Sequence, residues 1–159
     1  MSAYRVLGID PGTRIVGLGV VDREGGRLKV VAFKVVAPGR MKGDIPARLR
    51  VIHEGITAAI EEFSPDAVAI EEAYYGKSVQ SALRIGEGRG VAILAAAQAG
   101  IAVEQYPPAT VKKAVTGSGN AHKSQVGHMI KVLLSIADEV PEDAADALAV
   151  AICHLNRRR

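Results

Sequence analysis

The chain has a single cysteine and no tryptophan, and only two phenylalanines and four tyrosines occur among its 159 residues. One thiol, Cys153, excludes an intramolecular disulfide and a cysteine-rich zinc site. It sits in an alanine-rich helical run and reads as a small buried hydrophobe. Long apolar runs are missing too. The richest stretch, residues 91–103, is interrupted by Gln98 and Gly100, so no segment is expected to span a membrane. The first residues carry no signal-peptide pattern, and a soluble cytoplasmic protein is the expectation. Nor is there a large excess of one charge: the formal net charge is +3, a weak lean toward a polyanionic partner. What the chain has in quantity is apolar residue, 48% of the total, which excludes disorder over most of its length. By size it is one domain, residues 1–159, with no linker or internal repeat to divide it.

Organisation begins at residues 6–21. Val6 to Ile9 is an apolar run of the kind buried on both faces of a sheet. Asp10 ends it, Pro11-Gly12 makes a tight turn, and a glycine-studded second strand follows. A carboxylate at the end of a buried strand costs free energy unless something pairs with it. The other reading is that Asp10 caps the turn through its own backbone, as Asp often does. Residues 23–26 turn the chain again, and residues 28–36 read as a third strand, so two short connections imply an antiparallel meander. Asp44 as N-cap and Pro46 in the first turn open a helix. Ile45, Leu49, Ile52, Ile56, Ile60 and Phe63 recur along it at helical spacing and are expected to cover the sheet.

Ser64-Pro65 stops that helix, and a second apolar run, residues 67–70, ends on Glu71-Glu72. Two buried strands far apart in sequence thus each end in an acid, and ligands of α/β sheets gather at the carboxyl ends of strands. Residues 77–99 form a long helix with Gly86, Gly88 and Gly90 at its centre, each costing ~1 kcal/mol relative to alanine. Small residues there permit a close approach, either by another subunit or by the chain's own sheet. Residues 101–105 make a fifth strand, and helices follow over 109–115, 123–136 and 143–154. The order predicts an α/β fold: a mixed five-stranded sheet, three strands in an antiparallel meander plus two parallel strands, flanked by helices.

Asp143 and Asp146 are three apart and share one face near the start of the last helix. Asp143 is a sensible N-cap. Asp146 lies along the face of Val150 and Cys153, expected to be buried, and no Lys or Arg occurs between residues 140 and 154 to pair with it. If Asp10, Glu71, Asp143 and Asp146 converge, each pair ~5 Å apart repels by roughly 3 kcal/mol at an effective dielectric of about 20. No ammonium adjoins these motifs in sequence. Divalent cations resolve the conflict, and hard Mg²⁺ or Mn²⁺ suits oxygen ligands. Acids shared between two ions about 3.5–4 Å apart are the arrangement used in in-line phosphodiester hydrolysis.

Cations surround the glycine-rich loop at 116–120: Lys112 and Lys113 precede it, and His122 with Lys123 closes it. Such a segment suits a phosphate backbone, or else forms a solvated face. Arg14, Lys77, Arg84 and Arg89 extend the footprint. Five neutralised phosphates correspond to a slope of log affinity against log salt of roughly −4.5. Tyr74-Tyr75 lies just past Glu71, where stacking on an opened base contributes ~1–3 kcal/mol; a lid on the sheet edge is the other reading for Tyr75.

Leu7-Gly8-Ile9-Asp10-Pro11-Gly12, Ala69-Ile70-Glu71-Glu72 and Asp143-Ala144-Ala145-Asp146-Ala147-Leu148-Ala149 resemble the acidic motifs of the RuvC Holliday junction resolvases. Ser81-Ala82-Leu83, Arg89-Gly90-Val91-Ala92-Ile93, Lys123-Ser124-Gln125-Val126 and His128-Met129 are similar to that family as well, so the resemblance runs in order over residues 4–154. It implies a ribonuclease H-like fold and a homodimer as the working unit. It also implies Mg²⁺-dependent paired nicking of two like strands of a four-way DNA junction in recombination and repair, leaving 5′-phosphate and 3′-hydroxyl ends. Mn²⁺ would substitute, with two ions per site. By the same resemblance, Asp10, Glu71, Asp143 and Asp146 are the catalytic metal ligands and Lys112 and Lys123 face DNA near the scissile phosphate. Tyr74 stands where the family has a base-stacking aromatic, and a branch-migration helicase complex is an expected partner. Two other classes compete. An actin-like or sugar-kinase ATPase opens on a similar turn but requires a second phosphate loop and a second domain. A non-catalytic junction-binding module has no need of all four acids.

Overall fold

Apolar residues alternate with small or polar ones along the first two strands, which sets two different faces on one sheet. The computed structural model describes residues 2–12, 14–39, 43–72 and 78–158. Its elements are β1 (Tyr4–Pro11), β2 (Val16–Glu24), β3 (Arg27–Val36), α1 (Ile45–Phe63), β4 (Ala67–Glu71), α2 (Val79–Gln98), β5 (Ala102–Tyr106), α3 (Pro108–Thr116), α4 (Lys123–Leu134) and α5 (Glu142–Arg157). The sheet order is β3-β2-β1-β4-β5, antiparallel among β1, β2 and β3 and parallel from β1 through β4 to β5. This is the mixed five-stranded arrangement that the element order predicts.

On one face, Leu7, Ile9, Val16, Leu18, Val20, Val68 and Ile70 pack with Ile52, Ile56 and Ala59 of α1 and Ala92 and Ala96 of α2. On the other, Val6, Val21 and Ala69 meet α3, α4 and α5. Asp44 caps α1 by accepting from the Ala47 N–H at 3.0 Å, as its position predicts. Ile45 departs from the expected apolar stripe: it lies ahead of the first turn that reaches the sheet and is 46% exposed. Arg5 ties three elements together, donating to both Asp22 carboxylate oxygens at 2.7 and 2.9 Å and to the Phe63 carbonyl at 2.8 Å.

The last helix, α5, is buried almost all round, with Ala147 to Leu155 in the core. Its approach to the sheet is set by glycine. Gly8 and Gly19 are direct partners across β1 and β2, and Gly17 partners Asp10. A methyl group on Gly8 would overlap the Ala147 carbonyl, one on Gly17 would overlap the Asp143 carbonyl, and one on Gly19 would stand 2.7 Å from the Leu148 nitrogen. The α5 backbone therefore lies directly on the β1–β2 backbone, closer than any side chain allows.

Candidate active site

Period-two alternation places Val6, Gly8 and Asp10 on the α5 face of β1, and Ala69 and Glu71 on the same face of β4. The parallel register pairs Gly8 with Ala69 and Ile9 with Ile70, so one step further Asp10 and Glu71 stand side by side at the carboxyl ends of the two strands. The β1–β2 turn closes through the Gly12 N–H donating to the Asp10 carbonyl at 2.9 Å. The Arg89 guanidinium donates to the Glu71 carbonyl at 2.7 Å and fixes the end of β4 from α2. Arg89, a candidate for the cationic footprint from sequence, thus also serves as a structural tie at the end of β4.

Asp143 and Asp146 arrive on the first turns of α5. The expected N-cap role of Asp143 does not hold. The helix starts one residue earlier, Pro141 is the N-cap, and Asp143 lies inside the first turn. Its carboxylate reaches back toward the β1–β2 turn, with Oδ1 3.5 Å from the position of a Gly12 methyl group.

Burial disfavours the charges of Asp10, Glu71 and Asp146, and repulsion among the acids adds to the cost. Asp10 is pushed up to about 7, first by burial and then by the charges of Asp146, Asp143 and Glu71, with Lys123 opposing. Glu71 is raised by burial and by Asp146, against the pull of Lys112 and Lys123. Asp146 is also raised, because burial outweighs the ammonium beside it. That ammonium corrects a second expectation. No cation adjoins Asp146 in sequence, yet Lys123 of α4 stands 3.4 Å from its Oδ2 and also pairs with Glu142. Among the described residues, no three His, Cys, Asp or Glu side chains stand at the spacing of a finished metal cage. Glu71 and Asp146 line one cleft, and Asp10 lies close enough to feel the charges of Asp146, Asp143 and Glu71.

Glu71, Asp146, Lys112 and Lys123 line a cavity of about 200 Å³ whose floor is Pro108, Val111, Val126 and Ala149. Arg14, Arg84 and Lys113 are exposed and do not line it. Tyr74, Tyr75 and Lys77 lie outside the described residues. Two participants go beyond the sequence reading: Glu142, which shares Lys123 with Asp146 and has no signal of its own, and the Gly17–Asp143 backbone contact that seats α5. The second has a signal in strand parity, which puts Gly17 and Gly19 on the same face of β2.

The family model described as crossover junction endodeoxyribonuclease RuvC matches residues 6–154. A crossover junction endodeoxyribonuclease RuvC of Geotalea uraniireducens is 49% identical over 152 residues, covering 96% of this chain and 88% of its own length. The Thermus thermophilus RuvC structure superposes with a TM-score of 0.87 at 34% identity, covering 96% of this chain and 93% of the other. The T. thermophilus RuvC in complex with Holliday junction substrate superposes with a TM-score of 0.90 at 33% identity, covering 97% and 94%. By that family match over most of its length and by these full-length relatives, the chain belongs to the RuvC crossover junction endodeoxyribonuclease family.

Proposed function

We propose that this chain is a divalent-metal-dependent endodeoxyribonuclease that resolves four-way DNA junctions, nicking two like strands symmetrically and leaving 5′-phosphate and 3′-hydroxyl ends. The observation that carries the reading is the approach of Asp10, Glu71, Asp143 and Asp146, from three separate elements, beside a cleft that Glu71 and Asp146 line together with Lys112 and Lys123. The donor set fits a hard cation: it is all carboxylate oxygen, and burial together with the neighbouring acids pushes Asp10 up to about 7, a charge that a bound cation would relieve. Four carboxylates carry more charge than one divalent ion offsets, which favours two Mg²⁺ or Mn²⁺ per site. Bound there, such ions supply Lewis-acid activation of the attacking water and stabilise charge on the leaving 3′-oxygen. The chain's own part is to hold the ions through these four side chains and to neutralise the DNA phosphate with Lys112 and Lys123. A nicking assay on a synthetic four-way junction, run with Mg²⁺ and with EDTA and against linear duplex, tests this. Metal-dependent paired nicks on the junction alone are expected. Junction binding with no cleavage in any divalent metal would leave only a binding module.

Paired symmetric nicks require two like sites, and α2 offers a surface for a second copy. Leu83 and Leu94 are 64% and 51% exposed. Exposed Gly86, Gly90 and Ala97 continue their row at spacings of three and four. Nothing lies within 4 Å of a methyl group built on Gly86 or Gly90, whereas Gly88 faces inward onto the Pro11 and Gly12 carbonyls. The small outward positions let two α2 helices cross closely about a two-fold axis. Leu83→Glu is expected to convert a dimer to a monomer at micromolar concentration in analytical ultracentrifugation, with paired cleavage replaced by slow single nicks. A dimer that survives both this change and Gly90→Leu moves the interface elsewhere.

A further inference from the structure

Lys123 is the first residue of α4, and two carboxylates from the opening turns of α5 share its ammonium. Its tightest contact is with Glu142, and Asp146 lies 3.4 Å away. The two acids differ in setting. Asp146 lines the cavity and its side chain is 30% exposed, whereas Glu142 is 70% exposed and does not line the cavity. Glu142 is therefore mostly exposed and is not placed to hold a cation inside the cleft. Its contact with the described side chains is the grip on Lys123. An exposed pair of this kind is weak and exchanges its partners easily, worth a factor of about five or less.

Resting on the junction-nuclease reading above, we infer that Glu142 is a positioning residue that parks the Lys123 ammonium beside Asp146 while the cleft holds no phosphate, and yields it to the DNA backbone on binding. The parked ammonium remains next to the acids and does not swing into solvent on its long stem, so it meets an incoming phosphate from the cavity side. Parking also has a cost that can be measured. An ammonium already neutralised by a carboxylate adds little to counterion release when it takes up a phosphate, because the DNA then gains no net neutralising charge. A free Lys123 contributes about 0.9 to the slope of log affinity against log salt, and the Lys123–Glu142 pair contributes close to none.

The test is junction affinity of the full chain in EDTA, where no cleavage intervenes, titrated over a range of salt by fluorescence anisotropy on a synthetic four-way junction. Glu142→Gln is expected to tighten binding about two- to fivefold at low salt and to steepen the slope by about 0.9. In a Lys123→Gln background the same change is expected to leave the slope where Lys123→Gln alone puts it. Glu142→Asp, which keeps the charge, is expected to retain the wild-type slope. Glu142→Gln tightening binding equally with and without Lys123 would reduce Glu142 to a general repulsive charge and overturn the inference. An unchanged slope in Glu142→Gln overturns it as well, with the nuclease reading intact. A wild-type chain that binds no junction removes that reading and the inference together.

Discussion

Asp10→Asn is expected to abolish junction cleavage, by at least about a thousandfold, while making the metal-free protein more stable. Asn keeps the shape and removes the charge that burial and three neighbouring acids disfavour. The sign follows from the folded-state pKa, which is raised to about 7 from an ordinary value of 3.8. The protonated form is the one the fold prefers, so this group's contribution is fully present below about pH 4. It is lost as pH rises through about 7. At pH 8 the ionised Asp10 costs on the order of 2–4 kcal/mol, and its replacement should raise the thermal midpoint by roughly 5–12 °C. Below pH 4 the two proteins should melt together. Excess Mg²⁺ should close the gap from the other side: at 100 times its dissociation constant a ligand stabilises by about 2.7 kcal/mol, and only the wild type binds it well. Scanning calorimetry from pH 4 to 8, with and without Mg²⁺, reads all of this. A variant that is inactive but no more stable at pH 8 would mean that the acids do not share one strained cleft.

How the site assembles is legible in the sequence only where a single element's period governs it. Asp10 and Glu71 each follow a buried strand, and two-residue alternation is enough to put both on the face opposite Leu7, Ile9, Val68 and Ile70. Asp143 and Asp146, three apart on a helix, share a side for the same reason. What spans two elements is invisible to spacing. The ammonium beside Asp146 comes from Lys123 at the head of α4, and no pattern within either stretch connects them. The start of α5 slips by one residue because Glu142 and Asp143 are both acceptable in a first turn, and Pro141 ahead of them takes the cap. The three central glycines of α2 resolve in the same way. At about 100° per residue Gly88 points away from Gly86 and Gly90, so one packs inward and two face open space.

The glycines of β1 and β2 are where sequence, packing and chemistry meet, and Gly17→Ala tests them together. In isolation the change should favour a strand, since glycine is a poor strand former. Here the added methyl collides with the Asp143 carbonyl and stands 2.9 Å from the Ala144 nitrogen. These are backbone atoms, so no rotamer change relieves the overlap. The start of α5 must lift off the sheet. Overpacking of this sort costs about 1–3 kcal/mol, and a backbone clash belongs at or above the upper end. The thermal midpoint should fall by roughly 6–12 °C. Cleavage should fall further than that loss explains, by about a hundredfold in protein that is still folded, because the displaced turn carries Asp143 and Asp146, and an ångström of misplacement is enough for that. Gly127→Ala in α4 supplies the opposite sign: nothing lies within 4 Å of its methyl group, and helix propensity should raise stability by about 0.5–1 kcal/mol with cleavage unchanged. If Gly17→Ala melts like the wild type and still cuts junctions, α5 is not seated by backbone contact, and the placement of its two acids needs another cause.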